Sequence, residues 1–351
     1  MNEPYLKVED LHVHFESRKQ LFRPQRPPVK AVNGISFGIQ KGKTFGLVGE
    51  SGSGKSTVAR TLLRLVDAKG GQIIVGEGKD VIGLDAAGIK DYRKQVQVVF
   101  QDPYSSLNPS HIVGEIVGEL ITQHRGIKSG EQRDQIVGDL LEQVGLGRHF
   151  LERFPYELSG GQRQRVAIAR ALSVEPEMII CDEATSALDV SIQSQVINLL
   201  EEIQEKTGVA YLFIAHDLAV VKHISHDIGV MYLGYMVESG PSERVYEETA
   251  HPYTAMLLAA EPIPDPERQK RRAKVRRIYQ IDAEPPSPTN LPKGCPFTNR
   301  CALVMDKCHD EMPGETPVIG GGTVRCHLHT SGPTLKGASV IPLLLEAADK
   351  Q

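Results

Sequence analysis

Residues 49–56, Gly-Glu-Ser-Gly-Ser-Gly-Lys-Ser, constrain this chain more than any other stretch. They fit G-x-x-x-x-G-K-[ST], the phosphate-binding loop. Thr44–Val48 before them is short, apolar and β-prone. From Thr57 to Val66, Val58, Leu62, Leu65 and Val66 recur at helical spacing. A strand, a glycine loop and a helix in that order let backbone N–H groups wrap an anion at a helix N-terminus. In such a loop Gly49, Ser51, Gly52, Ser53, Gly54 and Thr57 would cradle a nucleotide. Lys55 would neutralise its β- and γ-phosphates, and the Ser56 hydroxyl would bind Mg²⁺.

A second apolar run, Met178–Cys181, ends in Asp182-Glu183. Runs of this kind fit strands buried on both faces of a parallel sheet, whose ligands collect at the strand C-termini. Asp182 is placed to hold Mg²⁺ through water, and Glu183 to face the attacking water. Val209–Ala215 is another buried strand, with His216 at its end. Gln95–Phe100 is a third, running into Gln101. Residues 5–15 alternate apolar and polar and end at Phe15, which reads equally as an adenine-stacking ring or a plain edge phenylalanine. With Ala31–Ile39 they suggest an antiparallel β layer before an α/β core.

Between these strands lies a helical insert. Ser129 and Gln132 form an apparent capping box before an apolar face of Ile136, Val137, Leu140, Leu141 and Val144. Leu158-Ser159-Gly160-Gly161-Gln162 opens the next helix, a second possible anion site that is weak evidence taken alone. Ser186–Asp189 precedes a helix with Ile192, Val196, Leu199, Leu200 and Ile203 on one face. A net charge of −4 offers no overall attraction to nucleic acid. No apolar run reaches the length of a membrane helix, and Met1–Lys7 lacks a signal-peptide pattern. Any membrane role is therefore expected to come through partner subunits.

Cys181 reads as a small buried strand residue. Cys295, Cys301, Cys308 and Cys326 cluster in a segment rich in proline and glycine, which reads as metal binding before disulfides. Four thiolates can hold zinc or an iron–sulfur cluster, and this spacing alone does not choose between them. His309 and His327, each beside a cysteine, are alternative zinc ligands. Residues 261–267 form a proline-rich linker, the basic run Lys270–Arg277 a solvated helix face, and the stretch from Ser331 a loosely held tail.

Together these residues closely resemble the ATP-binding subunits of ABC transporters, over residues 5–330. The pentapeptide Leu158–Gln162 is the most family-specific piece. The resemblance implies an α/β P-loop ATPase core with an N-terminal antiparallel β subdomain, an inserted helical subdomain and a small cysteine-rich C-terminal domain. The implied boundaries are 1–240 for the nucleotide domain, with the helical insert at about 102–172, then 241–330 for the extension and 331–351 for the tail. It assigns Phe15 to adenine stacking, Gln101 to Mg²⁺ and the sensing of membrane partners, and Glu183 and His216 to catalysis. It assigns Asp189 to a dimer contact, and Ser159–Gln162 to the ATP held by a head-to-tail partner.

Asp102–Pro109, His251-Pro252-Tyr253-Thr254 and Pro285–Pro288 ahead of Gly294–Phe297 are similar to segments of the dipeptide, oligopeptide and nickel importers, nearest the second (F-type) member of their ATPase pair. That implies a second ATPase subunit, two permeases, an extracytoplasmic solute-binding protein, and a place on the cytoplasmic face of the cell membrane. It also implies a structural [4Fe–4S] cluster on the four cysteines, outside the nucleotide site, with Zn²⁺ as the alternative. Two other functions compete: a soluble ABC ATPase acting on nucleic acid or ribosomes, and a regulatory module that binds nucleotide without turnover. Glu183 and His216 argue against the last.

Overall fold

The computed structural model describes residues 3–16, 27–128, 130–186, 188–279, 285–330 and 335–350. In chain order the strands are β1 (Leu6–Phe15), β2 (Val29–Ile39), β3 (Thr44–Val48), β4 (Gly70–Val75), β5 (Lys79–Asp80) and β6 (Val96–Val99). They continue as β7 (Met178–Asp182), β8 (Ala210–Ala215), β9 (Asp227–Tyr232), β10 (Tyr235–Pro241), β11 (Thr316–Pro317) and β12 (Thr323–Val324).

The first sheet is antiparallel in the order β2-β1-β4-β5, as the alternation of residues 5–15 implies. The larger sheet runs β11-β12-β10-β9-β3-β8-β7-β6. From β9 to β6 its neighbours are all parallel. Both faces of these central strands are covered, so their side chains divide between two cores. Met178, Ile180, Leu212 and Ile214 pack toward the antiparallel sheet, while Ile179, Cys181, Tyr211 and Phe213 pack the other way. Continuous apolar runs are the sequence trace of that arrangement.

The insert consists of helices Val113–Arg125 and Glu131–Gln143, leading to helix Gly160–Leu172. Helix Glu131–Gln143 starts beneath Gly130, without a side-chain cap. The expected cap at Ser129 lies outside the described residues. Helix Val190–Thr207 buries Val196, Leu199, Leu200 and Ile203 and stops at Gly208, whose φ of 71° needs no Cβ.

The C-terminal extension builds on the same core. Strand β12 pairs with β10, and Val275, Ile278, Phe297, Leu328 and Leu344 join the cluster that holds Phe213. The basic run lies on helix Pro266–Ile278, where Lys270 bonds Glu267 and Lys274 bonds Asp349. The described part of the tail, residues 335–350, is packed rather than loose: it ends in helix Ile341–Ala348, with Val340 and Leu344 fully buried.

Candidate functional site

Neighbouring parallel strands bring the sequence-predicted residues to one edge. Val48 stands beside Ala215, Cys181 beside Phe213, and Val99 beside Cys181. The residues that follow are Gly49, His216, Asp182-Glu183 and Gln101, so all lie at the strand C-termini.

Gly49 to Lys55 wraps tightly. Gly49 and Gly54 have φ of 151° and 107°, and an added Cβ would meet the Met231 carbonyl oxygen at 2.2 Å or that of Ala31 at 2.3 Å. Only glycine fits there. Helix Lys55–Leu62 starts directly after. The Lys55 ammonium is buried and donates to the Gly49 and Glu50 carbonyls at 2.7 and 3.0 Å. Burial pushes its pKa down, opposed by Glu183, Asp182 and Glu50. Ser56 Oγ donates to Asp182 Oδ1 at 3.2 Å. Burial raises the Asp182 pKa, the Ser56 bond lowers it, and Glu183 raises it again. Mg²⁺ between Ser56 and Asp182 would reverse that penalty by favouring the carboxylate.

Glu183 has φ 51°, uncommon for a residue with a side chain. Its N–H donates to the Ile214 carbonyl at 2.9 Å, and its carbonyl accepts from the Ser186 N–H and hydroxyl at 3.1 and 3.0 Å. Residues held this way cluster at functional sites. His216 and Gln101 are exposed at the same edge, and Phe15 is 43% exposed at the end of β1. Asp189 is exposed at the start of helix Val190–Thr207.

Ser159–Gln162 stands apart on helix Gly160–Leu172. Ser159 Oγ accepts from the Gln162 N–H at 3.3 Å, and Gln162 Oε1 accepts from the Ser159 N–H at 2.9 Å. Ser159 and Gly160 are exposed, whereas Gly161 is buried, and a Cβ added there would lie only 2.7 Å from Ile192 Cγ2, too close without a shift.

The four clustered cysteines line one small, mostly apolar cavity with Phe297 and Leu303. All are free thiols. The Cys295 N–H donates to the Cys308 carbonyl at 2.8 Å, an approach that needs Gly294, since a Cβ there would lie 2.1 Å from that oxygen. Burial pushes the Cys295 and Cys301 thiols up to about 11 and about 12. Among the described residues, no three His, Cys, Asp or Glu side chains are placed to hold a single metal ion. The buried Nδ1 of His327, beside the cavity, has no hydrogen-bond partner.

Sequence reasoning missed three residues. Tyr253 and Arg300 both bond Glu50, a variable position inside the phosphate loop. Tyr253 belongs to a segment already singled out, whereas nothing local marks Arg300 or Glu50.

Residues 32–186 match the ABC transporter family, and residues 237–308 match the oligopeptide/dipeptide transporter C-terminal region. The chain is 46% identical to a probable peptide ABC transporter ATP-binding protein, y4tS, of Sinorhizobium fredii, over 93% of this chain and 91% of that one. It is 46% identical to the oligopeptide transport ATP-binding protein OppF of Escherichia coli, over 88% of this chain and 91% of that one. Among solved structures it resembles the ATP-binding cassette MJ0796, solved as a dimer in a post-hydrolysis state bound to ADP and Pi. That match has a TM-score of 0.59 and 28% identity over 68% of this chain and 98% of that one.

Proposed function

This chain belongs to the ABC transporter ATP-binding family, and from that premise we propose that it is the ATP-hydrolysing motor of a di- or oligopeptide importer. The observation that carries the reading is the shared strand edge. It gathers a phosphate loop, the Ser56–Asp182 pair, Glu183 and His216 in one place.

Gly49–Thr57 bind the phosphates, with Lys55 on the β and γ groups and Phe15 stacked on adenine. Ser56, Asp182 and Gln101 hold Mg²⁺. Glu183 polarises water for in-line attack, and His216 contacts the γ-phosphate. Ser159–Gln162 of each subunit complete the site of a head-to-tail partner, with Asp189 at the contact. The exposure of Ser159, Gly160 and Asp189 supports this arrangement. None of the described helices is long and apolar enough to cross a membrane. By likeness to relatives named as transport ATP-binding proteins, the chain acts peripherally at the cytoplasmic membrane face, beside a second ATPase and two permeases fed by a solute-binding protein.

The cysteine cavity is the place for a [4Fe–4S] cluster. Four thiolates could also hold a single zinc ion, and it is the resemblance to the peptide importers that favours the cluster. A cluster would give each thiolate its own iron and would draw on all four cysteines, which line one cavity. Bound iron would stabilise the thiolates that burial disfavours and so brace the segment.

Reconstitution with the second ATPase and both permeases in liposomes tests the importer reading. Uptake of a peptide panel is expected to require ATP and to vanish with Lys55→Ala. Uptake confined to nickel chelates, or co-sedimentation with ribosomes, would overturn the peptide assignment.

A further inference from the structure

Glu50 is held on every polar side. Its carbonyl accepts from Lys55 Nζ at 3.0 Å, and its N–H donates to the Tyr253 hydroxyl at 2.9 Å. Its carboxylate accepts two parallel bonds from the Arg300 guanidinium, at 2.7 and 2.8 Å. Two of these partners come from the extension, and Arg300 is the residue before Cys301. The Arg300 guanidinium lies 5.9 Å from the ring centroids of both Tyr232 and Phe297. Phe297, 1% exposed, lines the cysteine cavity and meets the Tyr253 ring edge-on at 5.4 Å. A continuous packed path therefore runs from the cavity wall to the peptide on which Lys55 rests.

We propose that Arg300 and Tyr253 are positioning residues of the phosphate loop, which tie its affinity for nucleotide to the fold of the cysteine segment. The inference rests on the nucleotide-binding reading above. Its physical basis is pre-organisation. Gly49, Gly52 and Gly54 all have positive φ, and glycine backbone is the freest to wander when nothing restrains it. Nucleotide binding must order such a loop, and contacts that already fix its second residue lower that cost. A guanidinium–carboxylate fork is a directional way to do so. The pair is also shielded, with side chains 13% and 33% exposed, so removing one partner strands the other.

The test is a double-mutant cycle on the full chain, reading the Kd for Mg-ATP beside the thermal unfolding midpoint. Glu50→Gln and Arg300→Gln are each expected to weaken Mg-ATP about five- to tenfold, and the double variant no more than either single one. Arg300→Lys, which keeps the charge but loses the fork, should recover part of the loss. Tyr253→Phe removes only the hydroxyl, keeps the packing, and should weaken binding about threefold. Single variants within twofold of wild type, or losses that add in the double variant, would overturn the proposal. The controls separate the two readings. If the unaltered chain binds nucleotide, Lys55→Ala does not, and the clamp variants bind as wild type, only this inference falls. If the unaltered chain binds no nucleotide, the reading of the site falls and takes the clamp with it.

Discussion

The phosphate-loop edge and the cysteine cavity solve the same electrostatic problem with opposite materials. At the edge, Lys55 is buried and Asp182 half-buried, and each is pushed toward its neutral form, yet each sits among hydrogen bonds and opposite charges. In the cavity the thiols meet mainly apolar walls, and the Cys301 pKa is driven to about 12, first by burial, with Cys295 and Cys308 adding to it against a lowering backbone bond from Leu303. On the proposed reading the edge could bind and release phosphate and Mg²⁺, because its charged groups keep hydrogen-bond partners of their own. On the same reading the cavity would offer its thiolates little beyond a bound metal, which would then stay for the life of the fold. One region would then serve turnover and the other permanence, with the Glu50–Arg300 pair between them.

The sharpest way to separate them is at Glu183. Glu183→Gln keeps the shape and the backbone bonds to Ile214 and Ser186 but removes the proposed base. Hydrolysis is expected to fall on the order of 10²–10⁴-fold while ATP binding persists, measured by phosphate release and by equilibrium binding. The cavity should be untouched, with unchanged iron content. Near-normal phosphate release from this variant would remove Glu183 from the chemistry.

The two regions were also unequally legible. The edge is written in contiguous residues: a strand, a glycine loop whose spacing has one mechanical meaning, and apolar runs ending in acids. Its strands and the helix Val190–Thr207 follow from periodicity and a closing glycine. Even there, the positive φ of Glu183 was invisible, since no residue type announces it. Strand β4 opens on two glycines and a glutamine and β5 has only two polar residues, so neither carries enough pattern to stand out. The four cysteines could be grouped by count, but their seat on the main core depends on β12 pairing with β10 and on Phe297 packing against Tyr232 and Tyr253. Arg300 meets Glu50 across 250 positions of chain, a separation no local pattern encodes.

Cys301→Ser probes the permanent region. Anaerobically purified wild type is expected to be brown with about four iron per chain, as four-cysteine ligation of a [4Fe–4S] cluster requires. The variant should lose the colour and about 2–3 kcal/mol of stability, read as a lower unfolding midpoint by calorimetry. Binding of ATP should survive, weakened only about threefold, because the change reaches the loop only indirectly, through Arg300 and the Phe297–Tyr253 packing. One zinc and no iron in the wild type would sink the cluster assignment.

The smallest expected effect concerns a second contact between the extension and the edge. Glu261, just after helix Pro252–Ala260, accepts the Ala219 N–H at 3.1 Å, three residues beyond His216. Its carboxyl is pushed up to about 7, first by burial and next by Asp217, against the lowering influence of Arg272 and the backbone N–H groups of Leu218 and Ala219. The folded protein therefore holds this proton more tightly than the unfolded chain, whose value is 4.5. Stability from Glu261 is then fully present below about pH 4.5 and declines as pH rises to about 7, the reverse of a carboxylate engaged mainly in an ion pair. Glu261→Gln cannot ionise and keeps an oxygen for the Ala219 N–H. Its stability relative to wild type should rise across that window by on the order of 1 kcal/mol and then level off, since Arg272 and the backbone donors offset part of the burial penalty. Denaturant unfolding of both proteins at intervals from pH 4.5 to 8 measures this directly. A difference that stays flat with pH would mean that Glu261 is already ionised at pH 4.5, and that the extension meets this part of the edge through an ordinary ion pair with Arg272.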